Sequence, residues 1–261
     1  MHNRIDDCFA HLRSGRRKGF IPYICAGDPN LKKTAELGLA LEKSGADLLE
    51  LGLPFSDPLA DGIVNQLAAQ RALAAGTTIR GLFDCVREIR GQSQISIVLY
   101  SYLNPIFQFG AEKFHREAEE AGVDGLLILD LPPEEDVDPG AGNLVHIRLI
   151  APTTPADRIK EIAKNAKGFL YYVSREGVTG ARDSIASSLP EKIAELRKIS
   201  DLPVAAGFGI SNPDQAREVA RHADAVVVGS AIVDLFAKHG DKPDLVEKVS
   251  AFARDLAKAI H

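Results

Sequence analysis

The stretch LLELGLPFSDPLADG, residues 48–62, decides the fold of this chain. It begins as an apolar run typical of a buried strand and passes through a loop rich in proline and aspartate. It then continues into the helix-like segment GIVNQLAAQRAL (62–73). The result is one strand–loop–helix unit. The unit has an unusual feature, because its strand carries a carboxylate, Glu50, and its loop ends in a second one, Asp61.

Strand-like and helix-like segments alternate along the whole chain. Eight such units in 261 residues predict a (β/α)8 TIM barrel that forms a single domain over residues 1–261. A doubly wound open sheet is the alternative, and it is disfavoured because no GxGxxG motif follows the first strand. The strand candidates are nearly continuous in apolar residues, as in parallel sheets covered on both faces: GFIPYICAG (19–27), ADLLELG (46–52), ISIVLYSY (95–102), VDGLLILD (123–130), VHIRLIA (145–151), GFLYYVS (168–174), LPVAAGFG (202–209) and DAVVVGS (224–230).

Several details of the barrel are also predicted. We expect an extra N-terminal helix over residues 3–14 that closes the bottom of the barrel, and two helices within residues 61–90, the second starting near Thr77–Thr78. The fourth unit is shortened, because DVDPGAGN (136–143) leaves little room for a helix. Three strands begin with a small-x-Asp lead, in GADLLELG, GVDGLLILD and HADAVVVGS, which is a weak similarity between units.

Two helix starts are predicted from capping residues. In TPADRIKEIAKNA, Thr154 is expected to be the N-cap and Pro155 the first helical residue. In SNPDQAREVA the same arrangement places Asn212 before Pro213.

Composition excludes several classes of protein. The net charge of −5, with acids and bases interspersed, argues against binding to nucleic acid. Cys8, Cys25 and Cys85 form no CxxC pair, and the seven histidines form no HxH or HExxH motif, so neither disulfides nor a metal site are predicted. The first twenty residues contain no apolar h-region, so a secretory signal is not expected, and no apolar run approaches the ~20 residues that span a bilayer. We therefore expect a cytoplasmic protein that does not bind membranes.

The two carboxylates are the first candidates for chemistry, because barrel enzymes work at the C-terminal ends of their strands. Glu50 lies near that end of the second strand, where partial desolvation would raise its pKa. The alternative is a structural acid paired with a lysine or arginine. Asp61 alone would be interpreted as a helix N-cap. Together, however, the two acids could flank one small ligand, one protonated and the other ionised.

Glycine-rich turns after the last two strands indicate an anion site. GFGIS (207–211) follows strand seven, and VVVGSAI (226–232) leads from strand eight into a helix. The N-H groups at a helix N-terminus bind phosphate, and barrels often use these two loops for it. The polar segment SREGVTGARDS (174–184) is interpreted as a lid or a plain connection, and its Thr179 could orient a carboxylate.

The sequence closely resembles the tryptophan synthase alpha subunit family over nearly its whole length. The string LELGLPFSDPLADG is highly specific, because packing alone would not require it. The other matching segments follow in order along the chain: IPYICAGDP (21–29), YLNPIFQFG (102–110), GLLILDLP (125–132), IAPTTP (150–155), SREGVTGAR (174–182), AAGFGIS (205–211) and VVGSAIV (227–233).

The resemblance implies a lyase that cleaves indole-3-glycerol phosphate, by a retro-aldol reaction, to indole and glyceraldehyde 3-phosphate in L-tryptophan biosynthesis. Glu50 would be the general acid and base, Asp61 would accept the indole N-H, and Thr179 would orient Asp61. The residues implied around the phosphate are Gly180, Phe208, Gly209, Gly229 and Ser230. Those implied around the indole ring are Tyr23, Tyr100, Tyr102, Leu127, Asp130 and Tyr171.

The resemblance also implies a partner. The family's alpha subunit docks on a beta subunit that holds pyridoxal phosphate, as an α2β2 assembly, and no cofactor is expected in this chain. Pro54 and Asp57 in the loop 54–61, with Asn104 and Pro105, would face that partner. This chain has Ile63 where many members carry proline and Asn65 where they carry an apolar residue.

Two alternatives to the coupled enzyme remain. One is a catalytically weak barrel that mainly activates the beta subunit allosterically, and the other is a stand-alone lyase that releases indole. The four residues Glu50, Asp61, Thr179 and Gly180 are all present, which favours an active enzyme.

Overall fold

Eight parallel strands close into a barrel in a computed structural model that describes residues 3–135, 142–173, 189–207, 209–240 and 242–261. Each strand pairs with its neighbour in the sequence, and β8 pairs with β1. The predicted TIM barrel is therefore confirmed. The strands are β1 (Gly19–Cys25), β2 (Leu48–Gly52), β3 (Ser96–Ser101), β4 (Gly125–Ile128), β5 (Val145–Ile150), β6 (Leu170–Val173), β7 (Val204–Gly207) and β8 (Ala225–Val228).

Helices surround the barrel and close one end of it. The predicted N-terminal helix is confirmed as α1 (Arg4–Ser14), whose Ile5, Phe9 and Leu12 are buried against the inner side chains of the strands. The remaining helices are α2 (Leu31–Lys43), α3 (Ile63–Ala74), α4 (Ile79–Arg90), α5 (Leu103–Phe109), α6 (Ala111–Ala121), α7 (Ala156–Lys164), α8 (Leu189–Ile199), α9 (Pro213–Ala220), α10 (Ser230–His239) and α11 (Leu245–Ile260).

Side-chain alternation along β2 explains the position of Glu50. Leu49 and Leu51 pack in the outer layer between strands and helices, whereas Leu48 belongs to the cluster inside the barrel. Because side chains alternate along a strand, Glu50 and Gly52 face the interior with Leu48. In register, Glu50 is level with Tyr23 on β1. The barrel thus places a carboxylate inside, near the upper end of an otherwise apolar strand.

The small-x-Asp lead corresponds to a repeated contact at the bottom of the barrel. Each aspartate directly precedes an even-numbered strand, and its carboxylate accepts a hydrogen bond from a backbone N-H of the preceding strand. The same pairs are joined in the reverse direction by the aspartate's own N-H. The three contacts are Phe20 N to Asp47 at 2.9 Å, Ile97 N to Asp124 at 2.8 Å and Val204 N to Asp224 at 3.0 Å. The lead therefore fixes the register between neighbouring strands.

We expect replacement of Asp124 by alanine to destabilise the fold by about 3–5 kcal/mol, because it would remove the carboxylate that pairs with Arg90, whose side chain is only 10% exposed. Asp124 is 4% exposed and accepts from Arg90 at 2.7 Å and from Arg4 at 2.8 Å. Asp224→Ala is the matched control. Its carboxylate is 34% exposed, so a loss of about 1 kcal/mol is expected. Urea unfolding of both variants measures the difference, and equal losses would contradict this account.

The fourth unit and the helix starts test the remaining expectations. Between β4 and β5, the described residues 129–135 and 142–144 contain no helix, in agreement with a shortened unit. Thr78 is the N-cap of α4, and Asn212 accepts a hydrogen bond from Gln215 N before α9, as predicted. Thr154 is not the cap of α7, and that expectation was wrong. Its hydroxyl accepts from Ala151 N in the preceding turn, and the helix begins after Pro155.

Candidate active site

Glu50 is buried inside the upper part of the barrel. It is 2% exposed, and no hydrogen bond or ion pair joins its carboxyl to another residue in the described part of the chain. The structural alternative, a partner lysine or arginine, is therefore not found there. Burial, with a smaller effect from the charge of Asp61, raises the pKa of Glu50 to about 8. Glu50 is consequently protonated near neutral pH and can donate a proton.

Asp61 is 5% exposed and lies among hydrogen-bond donors. The hydroxyl of Tyr100 donates to its Oδ1 at 2.9 Å, and the hydroxyl of Tyr102 donates to its Oδ2 at 2.8 Å. The amide of Asn65 approaches Oδ1 at 3.4 Å. Burial raises the pKa of Asp61, but these three donors oppose the rise by stabilising the ionised form. The two acids therefore have different surroundings, as the sequence suggested.

Asp61 does not cap the helix that follows it. The N-cap of α3 is Gly62, and the carboxylate of Asp61 is directed towards the two tyrosines instead. Sequence reasoning placed Tyr100 and Tyr102 only as walls of the pocket and missed that their hydroxyls bind Asp61. Their spacing at the end of a strand, two residues apart and opposite an acidic loop, is a signal that could have suggested it.

Two contacts hold the loop that carries Asp61. The backbone N-H of Ala60 donates to the hydroxyl of Tyr102 at 2.9 Å, and the ring of Phe55 packs against that tyrosine with centroids 5.5 Å apart. At the other end of α3, Arg71 donates two hydrogen bonds to buried Asp28, at 2.9 and 2.6 Å. The loop and helix are thus tied to β3 and to the segment after β1.

Apolar and aromatic side chains surround the acids. Tyr23, Leu127 and Tyr171 are buried and face the interior of the barrel, and their role around an indole ring stays a prediction. The ring of Tyr23 meets that of Tyr100 edge to face, with centroids 5.1 Å apart. Asp130 differs from the others. It is exposed, and its carboxylate accepts a hydrogen bond from Leu103 N at 2.7 Å, so it holds the start of α5 rather than forming a wall.

We expect Gly52→Ala to lower kcat/KM for the reaction carried out at this site by roughly tenfold or more, because small displacements of the groups that position a substrate are costly in catalysis. A Cβ atom at Gly52 would collide with the hydroxyl of Tyr23 and lie 2.8 Å from its Cζ, so the Tyr23 ring would have to move. Gly62→Ala is the control, since no atom lies within 4 Å of its added Cβ. Steady-state kinetics compare the variants. Similar losses in both would show that the Tyr23 contact is irrelevant.

The predicted anion site is partly described. Gly209 follows β7 with φ of 76°, a conformation that favours glycine. Gly229 precedes α10, whose N-terminus has no side-chain cap and no acidic residue in its first turn. Ser230 is the first residue of this helix, so its N-H group is among those left without an intrahelical partner. Thr179, Gly180 and Phe208 lie outside the described residues.

The residues predicted to face a partner differ in exposure. Asp57 and Asn104 are exposed and Pro105 is half-buried, but Pro54 is buried within the chain. Pro54 is therefore unavailable for direct contact, which corrects that part of the prediction. Five exposed apolar side chains occur in the same loop and in the adjoining helices α3 and α5: Leu59 (87%), Ile63 (65%), Leu67 (45%), Leu73 (38%) and Phe107 (70%).

Two features are absent from the described parts of the chain. No helix there has both the length and the apolar character needed to cross a bilayer. No group of three or more His, Cys, Asp or Glu side chains there could hold a metal ion.

Known proteins resemble this chain over its full length. A family model described as tryptophan synthase alpha chain matches residues 9–261. The tryptophan synthase alpha chain of Opitutus terrae is 50% identical over 259 residues, which cover 97% of each chain. The structure of tryptophan synthase subunit alpha from Legionella pneumophila is 40% identical, covers 100% of this chain and 99% of that chain, and superposes with a TM-score of 0.89.

A chain from the tryptophan synthase a2b2 complex of Pyrococcus furiosus is also similar. It is 34% identical, with 93% of this chain and 99% of that chain covered and a TM-score of 0.81. Because the family model and these relatives extend over nearly the whole sequence, the chain belongs to the tryptophan synthase alpha chain family and is a lyase of tryptophan biosynthesis.

Proposed function

We propose that Glu50 and Asp61 carry out the alpha reaction, the retro-aldol cleavage of indole-3-glycerol phosphate to indole and glyceraldehyde 3-phosphate. The observation that supports this assignment most directly is the difference between the two acids. One is buried, has no hydrogen-bond or ion-pair partner among the described residues and has a pKa of about 8, and the other accepts hydrogen bonds from two tyrosine hydroxyls. A reaction that needs one protonated and one ionised carboxyl group fits this pair.

Each acid has a distinct part in the bond breaking. Protonated Glu50 donates its proton to the indole ring carbon that bears the glycerol chain, which leaves positive charge on the ring nitrogen. Ionised Asp61 accepts the N-H of that nitrogen and stabilises the charge. The carboxylate of Glu50 then removes the proton of the adjacent hydroxyl. The carbon–carbon bond breaks as the aldehyde forms, and its electrons return to the ring to give indole.

The phosphate would bind at the opposite side of the barrel mouth. Gly209, Gly229 and Ser230 would contact it mainly through backbone N-H groups, together with Gly180 and Phe208. Thr179 would orient Asp61 from the loop after β6. No metal or organic cofactor is required in this chain, because the two carboxyl groups supply the proton transfers.

The proposed partner is a tryptophan synthase beta subunit, bound as an α2β2 assembly in the cytoplasm, with pyridoxal phosphate held by the beta subunit. The relationship to the Pyrococcus furiosus complex supports this partnership. The exposed side chains of Leu59, Ile63, Leu67 and Phe107 support it as well, because exposed apolar groups clustered on neighbouring elements are typical of binding surfaces. We call these four residues the apolar rim.

Release of indole from indole-3-glycerol phosphate by the purified chain, alone and with a beta subunit, tests the proposal. Release that is stimulated by the beta subunit supports the coupled lyase. Equal and rapid release without it would favour the stand-alone lyase. Absence of release under both conditions would overturn the assigned chemistry and favour the allosteric activator.

The apolar rim gives a separate prediction. Phe107→Asp is expected to weaken binding of the beta subunit at least about tenfold, because it places a charge on an exposed apolar contact. The rate of the isolated chain should not change, because Phe107 lies on the outer side of α5 and is 70% exposed. Leu73→Asp, at the far end of α3 and 38% exposed, is the control. Titration calorimetry compares the two, and equal weakening would argue against the rim as the docking surface.

A further inference from the structure

Tyr100 has a contact that its place among the pocket walls does not explain. Its backbone lies on β3, level with Gly52 on β2 and Leu127 on β4. Its hydroxyl nevertheless reaches beyond the strand to Oδ1 of Asp61, which belongs to the loop before α3. The side chain thus joins the barrel wall, which carries Glu50, to the loop that carries the other acid.

We propose that Tyr100 is a positioning residue of the lyase reaction, whose hydroxyl holds Asp61 in its ionised form and in a fixed orientation beside the indole nitrogen. This inference rests on the proposed function of Asp61. Tyr100 would not touch the reacting atoms itself. It would act through the carboxylate that does.

The geometry favours an ionised Asp61 because each carboxylate oxygen faces a different hydroxyl. The hydroxyl of Tyr102 accepts from Ala60 N, so its own proton is directed to Oδ2 of Asp61. The hydroxyl of Tyr100 faces Oδ1. A neutral carboxyl group would have to place its proton on an oxygen that already receives a donor. Hydrogen bonds to the charged form therefore favour ionisation.

The ring of Tyr100 is held so that its hydroxyl cannot easily turn away. Tyr23 meets it edge to face at 5.1 Å, and the hydroxyl of Tyr23 is itself close against Gly52. Tyr23 belongs to an apolar cluster formed by β1, α3 and α10, and the partly buried Tyr100 packs against this cluster and against the one inside the barrel. A donor on a rigid strand positions a loop carboxylate better than a donor on the loop itself.

The other donors to Asp61 are less suited to this task or to its test. Asn65 is on α3, four residues after Asp61, and its side-chain amide approaches Asp61 at 3.4 Å, while its own buried Oδ1 accepts no hydrogen bond from the described part of the chain. Tyr102 also binds the loop through Ala60 N, so removing its hydroxyl would disturb the backbone as well. In the described residues, Asp61 is the sole hydrogen-bond partner of the Tyr100 hydroxyl.

Asp61 is the group expected to titrate on the acid side of the pH profile. The titratable groups that interact with it come from β1, β2, the end of β3 and β6: Tyr23, Cys25, Glu50, Tyr100, Tyr102 and Tyr171. Burial raises the pKa of each phenol and of the thiol, and Glu50 titrates at about 8.

The test is the pH dependence of kcat/KM for Tyr100→Phe in the complex with the beta subunit. Loss of a hydrogen bond to a charged group corresponds to about one pH unit, so the acid limb should move upwards by about that amount. The loss of activity relative to wild type should therefore grow as the pH falls. Tyr171→Phe is the control for the acid limb of the pH profile. The hydroxyl of Tyr171 lies inside the same barrel, but it makes no hydrogen bond to Asp61 within the described residues.

A second measurement does not depend on activity. NMR of carboxyl-13C aspartate, with Asp61→Asn used for assignment, follows the titration of Asp61 directly in wild type, Tyr100→Phe and Tyr171→Phe. An upward shift only in Tyr100→Phe shows that the Tyr100 hydroxyl holds Asp61 in its ionised form, and this result does not depend on the lyase assignment. Two outcomes would overturn the role of Tyr100 and leave the lyase assignment intact. In the first, Tyr100→Phe is active and neither its acid limb nor its Asp61 titration moves. In the second, both move by the same amount in Tyr171→Phe.

Discussion

Glu50→Gln is expected to reduce indole release at least about 1,000-fold while binding of indole-3-glycerol phosphate survives. General acid catalysis contributes roughly 10²–10⁴ in rate, and glutamine can neither donate the proton nor remove the second one. The change keeps the shape of a side chain that is 2% exposed, so the pocket should remain intact. Single-turnover indole release and equilibrium binding measure the two effects. Activity within tenfold of wild type would show that another group is the acid.

The same variant is expected to be more stable than wild type, and increasingly so as the pH rises. Below pH 4.5 Glu50 is protonated in both folded and unfolded chains, so it causes no difference. Between 4.5 and about 8 only the unfolded chain releases the proton, and wild-type stability falls. At about 1.4 kcal/mol for each pKa unit, the full difference above pH 8 is roughly 5 kcal/mol at most.

Urea unfolding across this pH range measures the difference. Glu36→Gln is the matched control, because its carboxylate is exposed and pairs with Lys33 on the surface of α2. It should show no comparable dependence. The lyase reaction gives an independent check, since kcat should fall above about pH 8 as the acid loses its proton. A stability difference that does not change with pH would mean that Glu50 is ionised in the folded chain.

Asp61→Asn is expected to lower indole release by about 100–1,000-fold, the range seen when a group that stabilises transition-state charge is removed. Asparagine can still accept a hydrogen bond from the ring nitrogen, but it carries no charge to balance the positive ring. The change should also lower the pKa of Glu50, because the charge of Asp61 contributes to the rise of that pKa to about 8. The basic limb of the pH profile should then move to lower pH.

Kinetics over pH 5–9 measure both effects of Asp61→Asn. Asp57→Asn, in the same loop but exposed, is the control for loss of a negative charge in this region. It should leave the basic limb of the isolated chain in place. If Asp61→Asn lost activity without any movement of that limb, the two acids would not interact, and the paired arrangement would be wrong.

The sequence predicted the barrel because its strands are buried on both faces, which makes them apolar throughout. Against that background a single acid such as Glu50 is conspicuous, and its place in the strand gives its height in the barrel. The helix start at Asn212 was also predictable, because an asparagine before a proline has few other uses there. These features depend on local pattern and on the period of the strand.

Features that depend on the path of a loop were not predictable in this way. Thr154 was expected to cap a helix, but its hydroxyl accepts a hydrogen bond from the turn before the helix instead. A threonine hydroxyl can bond either to the helix N-terminus or to the neighbouring turn, and the sequence does not decide between them. Pro54 resembles a surface loop residue, yet the chain folds over it. The hydroxyls of Tyr100 and Tyr102 could be placed on a strand end, but their contact with Asp61 requires the loop to return to β3.

The helix α1 at the lower end of the barrel limits the routes by which small molecules can enter and leave. The side chains of Ile5, Phe9 and Leu12 are 0%, 6% and 3% exposed, so α1 covers and closes the lower end. In the described residues, a small molecule beside Glu50 is therefore closed off from the lower end of the barrel and is expected to leave at the upper end. A protein bound over the upper end would therefore decide where an apolar product goes, and it could receive the product without release into solvent.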